Sequence, residues 1–358
     1  MKKITFDEFV RLNRGFDLPE SKIVAGEYPV VASTNIKAYH NAYKVKPPVV
    51  VTGRSGSLGK VQYIDSKCWP LNTALYSKDF RGNNPKYIYY FLQTMHLEQY
   101  NAGAGVPTLN QNHLQRLKIV VHDIDGQKKV SDILSAYDNI IENNNRRVKL
   151  LKQMAENLYK EWFVRFRFPG YEDVEFESGI PKEWKICRID QLSKIKAGGD
   201  APDDSTKEIT DECSIPIYSN GIENEGLYGY TSKAKINKPS ITISARGTVG
   251  YTCLRRVSYT PIVRLICIIP HEEKLANWLF YYFKRTIVIA NGTSQQQITI
   301  PMMSREKVLL PTNDLIQKFH EYSTCYLDEI DSLKAQNSNL EKQRDKLLPR
   351  LMSGKIEV

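Results

Sequence analysis

The chain has 358 residues, enough for two domains of roughly 130 to 150 residues plus connectors, each able to bury its own core. Its 50 Lys and Arg outnumber its 40 Asp and Glu, and the net charge of +10 favours an acidic partner such as nucleic acid or an anionic surface, although a solvated basic face accounts for so modest an excess equally well. No apolar run approaches the roughly 20 residues of a membrane span, and the opening MKKITFDEFV has basic groups but no apolar signal core, so a soluble cytoplasmic protein with no membrane association is expected.

From the N-terminus, short strands rich in Val, Ile and Thr are broken by Gly and Asn turns, among them Pro48 to Thr52 and Lys118 to Val121. Between these two an amphipathic helix is predicted from Pro85 to Gln99, with Pro85 suited to its first turn. Its Tyr87, Tyr90 and Phe91 have the spacing of core residues rather than of a base-stacking platform. A long helix follows from about Gln127 to Phe163. Along it Leu134, Tyr137, Ile141, Asn144, Val148, Leu151, Ala155, Leu158 and Trp162 alternate steps of three and four, the seam of a heptad helix.

The chain then repeats itself. Gly15 to Pro19 returns as Gly198 to Pro202, Pro29 as Pro216, Gly56-Ser57-Leu58-Gly59 as Gly247-Thr248-Val249-Gly250, and Gly103 as Gly292. So long a period marks duplicated domains rather than a solenoid. The second copy predicts strands at Ser240 to Ser244 and Ile262 to Ile269 and an aromatic-rich helix from Glu273 to Ile289, with Trp278, Phe280 and Tyr281 as core. A second long helix runs from about Leu315 to Met352, its seam formed by Tyr326, Ile330, Leu333, Asn337, Leu340, Leu347 and Leu351, with Ser323 and Arg344 as weaker members. Each seam holds one central Asn, Asn144 or Asn337, the kind of insertion that fixes register at some cost in stability. Helices that only capped their own domains would need a wider apolar face, so the two are expected to pair with each other as rigid spacers of about 55 Å.

Catalytic chemistry is not legible. The run Gly53-Arg54-Ser55-Gly56-Ser57-Leu58-Gly59-Lys60-Val61 suggests a phosphate loop, but Arg54 stands where the first Gly belongs and Val61 replaces the Ser or Thr that would ligate magnesium. Asn84-Pro85-Lys86-Tyr87 falls one residue short of the Asn-Pro-Pro-Tyr loop of methyltransferases, and a capped helix start explains it better. Pro202-Asp203 with the distant Glu272-Glu273-Lys274 is too loose for a nuclease carboxylate cluster. The cysteines at 68, 187, 213, 253, 267 and 325 form no Cys-x-x-Cys pair and have no His at ligand spacing, so reduced thiols and no metal site are expected.

What remains is a pair of glycine-bounded loops with a guanidinium at the tip, Arg54 with Ser55 and Ser57 in the first copy, Arg246 with Thr248 in the second. Glycine lets such a loop approach a duplex, and Arg bridges O6 and N7 of guanine or grips a phosphate. Lys60, Arg81, Asn83, Asn84 and Lys86 extend the polar reach of the first copy, and Arg255, Arg256, Gln295, Gln296 and Gln297 that of the second, since Asn and Gln pair bidentately with adenine. The bland reading is a plain hairpin and a polar loop.

Three further stretches, Leu158-Tyr159-Lys160-Glu161-Trp162-Phe163-Val164 continuing to Phe168-Pro169-Gly170, Ile180-Pro181-Lys182-Glu183-Trp184, and the closing LLPRLMSGKIEV, resemble the DNA-specificity subunits of type I restriction-modification systems over nearly the whole length. The resemblance implies an α+β protein: two similar mixed α/β target-recognition domains, about 1–122 and 180–311, joined by helical spacers at 123–165 and 312–358 with a linker at 166–179. It implies that the helices pack as an antiparallel coiled coil with pseudo-two-fold symmetry, so that similar modules read the two DNA strands in opposite senses over a bipartite, gapped target. It further implies a non-catalytic subunit that binds double-stranded DNA and positions two adenine-N6 methyltransferase subunits and the restriction/translocase subunits, with S-adenosylmethionine, ATP and Mg on those partners. The first copy departs in lacking a counterpart of Ile-Pro-Lys-Glu-Trp. Two other readings stay open at this point: a coiled-coil adaptor that binds proteins, and a specificity subunit of a type II-like system.

Overall fold

A computed structural model describes residues 1–103, 105–290 and 298–357. Contacts divide the chain into two units, one made of Met1–Asn145 with Lys334–Val358, the other of Arg146–Leu333.

In the first unit Lys2–Thr5 pairs antiparallel with Lys118–Val121, and Thr5 caps a one-turn helix, Phe6–Phe9. The Glu8 carboxylate accepts the Thr5 N–H at 2.7 Å while the Thr5 hydroxyl accepts the Glu8 N–H, a reciprocal cap that turns Phe6 and Phe9 fully inward. Arg11–Arg14, Ala74–Asp79, Val49–Gly53 and Val61–Ile64 follow as a four-stranded antiparallel sheet in that spatial order, and Ile36–His40, Tyr28–Val31 and Trp69–Pro70 form a three-stranded one. The helix Pro85–Thr94 starts on an Asn84 side-chain cap with proline in its first turn and buries Tyr87, Ile88, Tyr90, Phe91 and Leu92. It stops earlier than the predicted Gln99, because His96 turns left-handed and a separate 3-10 turn, Leu97–Tyr100, takes over.

The second unit repeats this order. Lys185–Arg188 pairs with Lys307–Leu310, and Ser193–Ala197, Ile266–Pro270, Ser240–Ile243 and Thr252–Arg255 form the matching four-stranded sheet. Leu227–Thr231, Ile215–Tyr218 and Thr260–Pro261 form the matching three-stranded one. Lys2–Thr5 thus corresponds to Lys185–Arg188, which follows directly on Ile180–Trp184. The predicted strand Ile262 to Ile269 is broken: Thr260–Pro261 and Ile266–Pro270 are separate strands joined by a tight turn. The aromatic helix spans Leu275–Ala290, with Trp278, Leu279 and Phe283 almost wholly buried.

Both long helices, Ile124–Phe163 and Asn313–Met352, contain 40 residues. In the first unit Leu134, Ile141, Asn144 and Asn337 are buried and Tyr137, Leu340 and Leu347 half-buried, as a seam requires. Asn144 Nδ2 donates to Asn337 Oδ1 at 2.9 Å, Asn337 Nδ2 donates to Asn145 Oδ1 at 3.0 Å, and Arg344 pairs with Asp138 at 2.6 Å. Rising numbers on one helix meet falling numbers on the other, so the segments run antiparallel. In the second unit Ile330 and Leu333 are buried and Val148, Leu151, Leu158 and Tyr326 half-buried. There Arg147 pairs with Glu329 at 2.5 Å, and Trp162 and Phe163 meet Phe319, again antiparallel. All six cysteines are unbridged, and burial pushes the Cys68 thiol up to about 12, leaving it inert at neutral pH.

Candidate nucleic-acid interface

In the first unit the loop after Val49–Gly53 folds back tightly: a Cβ on Gly53 would stand 2.0 Å from the Ser57 carbonyl, and Gly56 is left-handed at φ +84°. Backbone bonds tie Arg54 to two neighbours, its N–H donating to the Thr73 carbonyl at 2.9 Å and its carbonyl accepting the Leu109 N–H at 2.8 Å. The buried Ser33 hydroxyl lies 2.7 Å from the Thr73 carbonyl and 3.2 Å from that of Ser55. Arg54 itself is half-buried, with Nη1 donating to the Asn72 carbonyl at 3.3 Å. It lines a cleft of about 370 Å³ together with Arg14, Thr108, Asn110, Gln111 and Asn112. The buried Gln111 Oε1 has no hydrogen-bond partner among the described residues. The cleft therefore offers two guanidinium groups and three side-chain amides, the donor set that reads guanine and adenine edges. Sequence reasoning missed Arg14 and Asn110 to Asn112. The polar run Thr108-Leu109-Asn110-Gln111-Asn112 was visible, but only the bridge between Ser55 and Thr108 brings it to the loop.

In the second unit Arg246 and Thr248 are exposed and Gly247 is left-handed at φ +69°. The two arginines are not equivalent: Arg54 stands two residues before Gly56 and Arg246 one residue before Gly247, so Ala245 occupies the place of Arg54. The backbone agrees, since Ala245 accepts the Ile298 N–H at 3.4 Å just as Arg54 accepts that of Leu109. Gln295, Gln296 and Gln297 lie outside the described residues.

Two expected contacts, Asn83 and Arg255, are corrected. Asn83 is 6% exposed, its amide nitrogen donating to the Phe9 carbonyl at 2.9 Å and its oxygen accepting from Gln127 at 2.8 Å, so it builds the interior. Arg255 is 4% exposed: Nε donates to Thr242 Oγ1 at 2.9 Å, Nη2 to the Glu225 carbonyl at 2.5 Å, and the guanidinium lies 3.6 Å from the Tyr218 ring centroid. It has no reach to a ligand. Arg81 is exposed but paired with Asp7 and Asp79, and Arg256 with Asp328 and Asp331. Asn84 serves as a helix cap, and Lys86 sits half-buried in the first turn after it. Ser55 is half-buried, while Ser57 and Lys60 are exposed on the loop as expected.

One basic surface had no sequence signal. Lys194, Lys196, Lys235 and Lys238 line a concavity of about 350 Å³ in the second unit together with His271, with no acidic residue in its lining. Lys194 and Lys196 share one face of an edge strand, where lysines also discourage strand addition. No helix among the described residues is long and apolar enough to cross a membrane.

The family model for the type I restriction modification DNA specificity domain matches residues 1–153 and again 181–342. The MjaIX type I restriction enzyme specificity subunit of Methanocaldococcus jannaschii is 26% identical over 351 residues, covering 87% of this chain and 78% of that protein. A putative type I specificity subunit of Mycoplasma pneumoniae is 26% identical over 315 residues, covering 85% of this chain and 82% of that protein. Among solved structures, the S subunit of a type I restriction-modification system from M. genitalium aligns with a TM-score of 0.67 at 17% identity, over 98% of this chain and 96% of that one, a likeness of fold.

Proposed function

Because the chain belongs to the type I restriction modification DNA specificity family in both of its modules, we propose that it reads a bipartite, gapped DNA sequence, one half-site with each module, and brings methyltransferase and restriction subunits to it. The observation that carries this reading is the duplication: two units with the same strand order, each with an arginine-bearing rim and each with antiparallel segments of the same two helices. The recognition domains are residues 1–122 and 180–311, and the helical spacers 123–165 and 312–358, with 166–179 as linker. Helices of 40 residues measure about 60 Å, longer than the roughly 34 to 36 Å of one DNA turn, which suits half-sites separated by a gap. The rims differ, with a half-buried Arg54 held by the Asn72 carbonyl beside three amides and an exposed Arg246 one position further along its loop, so the half-sites differ too.

In this reading the chain contributes recognition and no catalytic group. Adenine-N6 transfer from S-adenosylmethionine belongs to two methyltransferase subunits, and ATP and Mg to the restriction subunits. Strand-specific mapping of adenine methylation tests it. Replacing residues 180–311 by the matching stretch of a relative should change one half of the methylated sequence and leave the other untouched. Adding one matched heptad to both helices, about 10 Å or close to three base pairs, should widen the gap and keep both halves. A swap that scrambles both halves, or an insertion that changes bases, defeats the two-reader reading.

A further inference from the structure

We infer that the second module reads guanine edges in its half-site with a pair of arginines, Arg246 and Arg264, held in register by the side chain of Asn220; this rests on the DNA-specificity reading above. Val263 and Arg264 are both left-handed, at φ 52° and 57°, in a turn closed by the Leu265 N–H donating to the Ile262 carbonyl at 3.1 Å. Two consecutive left-handed residues make the turn type that favours Asn-Gly, and a β-branched Val there is a genuine outlier. The matching turn of the first module, closed by Ala74 N–H to the Leu71 carbonyl at 2.9 Å, carries Asn72 and Thr73 and neither is left-handed. Strain at this turn is therefore specific to the second module.

Its surroundings hold it in place. Val263 N–H donates to the Gly199 carbonyl at 2.8 Å and Arg264 N–H to the Gly198 carbonyl at 3.0 Å. Gly198 permits this approach, since a Cβ there would lie 2.7 Å from the Ile262 backbone. Asn220 then ties the two arginine-bearing turns together: its Nδ2 donates to the Val263 carbonyl at 2.7 Å and its Oδ1 accepts the Ala245 N–H at 2.8 Å. One amide thus fixes the residue before Arg246 and the residue before Arg264. Both arginines are exposed, and among the described residues neither guanidinium has a hydrogen-bond or ion-pair partner, whereas Arg54 is already engaged with Asn72. A strained turn that displays a free Arg at a position suited to Gly is the arrangement expected where the side chain is needed for a ligand. The planar fork of each guanidinium matches O6 and N7 of one guanine.

The test uses the chain co-purified with its methyltransferase subunits and a duplex carrying the methylated sequence mapped in cells, with control duplexes in which one or the other half-site is replaced. Arg264→Gly should fold at least as stably, because glycine suits the turn, and should weaken binding to the mapped duplex roughly 5- to 150-fold, the range for one bidentate base contact. On a duplex already lacking the second half-site it should change nothing. Arg264→Lys should keep affinity for random duplex and lose the preference for the mapped one. Asn220→Ala tests positioning: the coupling between Arg246→Ala and Arg264→Gly in a double-mutant cycle should vanish when Asn220 is absent. Unchanged binding by Arg264→Gly, or equal loss on mapped and random duplexes, overturns the assignment. A native complex that fails to prefer the mapped duplex over random DNA overturns instead the specificity reading on which it stands.

Discussion

Around Gln127 the first module meets its helix through a network of amide and hydroxyl hydrogen bonds, whereas around Phe319 the second meets its helix chiefly through aromatic rings, with a single amide, Asn277, donating to Ser323 at 2.9 Å and Thr324 at 3.0 Å. Gln127 is fully buried: its Oε1 accepts the Asn84 N–H at 2.9 Å, and its Nε2 donates to Asn83 Oδ1 at 2.8 Å and to the His122 carbonyl at 2.9 Å. Ser131 closes the network on the Gln127 carbonyl at 2.7 Å. Phe319, also fully buried, lies edge-on to Tyr159, Trp162, Phe163 and Tyr281, at centroid distances of 5.0 to 6.1 Å. Duplication preserved the strand order and left the joint free to diverge. The polar joint is directional, so each bond specifies an angle, while the aromatic one gains from area and tolerates small rotations.

The comparison breaks most visibly at the aromatic joint. Phe319→Ala should cost about 3 to 5 kcal/mol by chemical denaturation, through a cavity lined by rings that cannot collapse together; a loss below about 1 kcal/mol would mean the cluster is not what holds the second module to its helix. Gln127→Leu keeps the volume but orphans the Asn84 N–H, Asn83 Oδ1 and the His122 carbonyl, at about 1 to 3 kcal/mol for each group that finds no substitute. Its signature should be localised, with amide exchange quickening around Asn83 to Tyr87 and unchanged around Trp278. Uniform loosening of both modules would contradict independent joints.

Smaller effects sharpen the difference in charge. Substituting Lys194, Lys196, Lys235 or Lys238 by Ala should weaken binding to specific and random duplex alike and lower the salt slope by about one for each phosphate no longer held. A change confined to the cognate duplex would reassign that lysine to base reading. The smallest effect concerns Asp204, whose carboxyl is held down at about 2 by hydrogen bonds from Ser232 and Thr231. Its folded value is depressed, so its contribution is complete above the ordinary Asp range and is lost as pH falls toward about 2. Melting temperatures of the native chain and Asp204→Asn should therefore differ at neutral pH and converge in acid; a constant difference would show that the carboxylate charge is not involved.

Much of the architecture was legible because it rests on periodicity. Alternating steps of three and four located both long helices within a few residues, and the glycine landmarks located the duplicated sheets. The rims were less legible, for two physical reasons. Burial decides what a polar residue does, and nothing local distinguishes Asn83 or Arg255, which satisfy interior carbonyls, from a side chain free to meet a ligand. Long-range pairing decides which loops share a surface: Arg14 lies 40 residues before Arg54 and meets it only because their strands flank Ala74–Asp79. Arg264 was hidden differently. A continuous apolar strand was expected where the backbone makes a left-handed turn, because Val-Arg carries none of the residues that normally announce one.

The first unit is assembled from both ends of the chain, with Leu348, Leu351 and Met352 in the same core as Phe6, Phe9 and Leu134, and His122 Nε2 donating to the Leu351 carbonyl at 2.9 Å. The second unit draws on one continuous stretch, 146–333. A ribosome making the chain from its N-terminus therefore exposes every residue of the later module before it has delivered the last pieces of the earlier one. The unit begun first is thus the last whose segments are all available, the reverse of the usual N-terminal-first order. Until residue 352 emerges, the module synthesised first waits with Leu134, Phe6 and Phe9 lacking their final partners, so nascent-chain protection against protease should reach 146–333 ahead of 1–145.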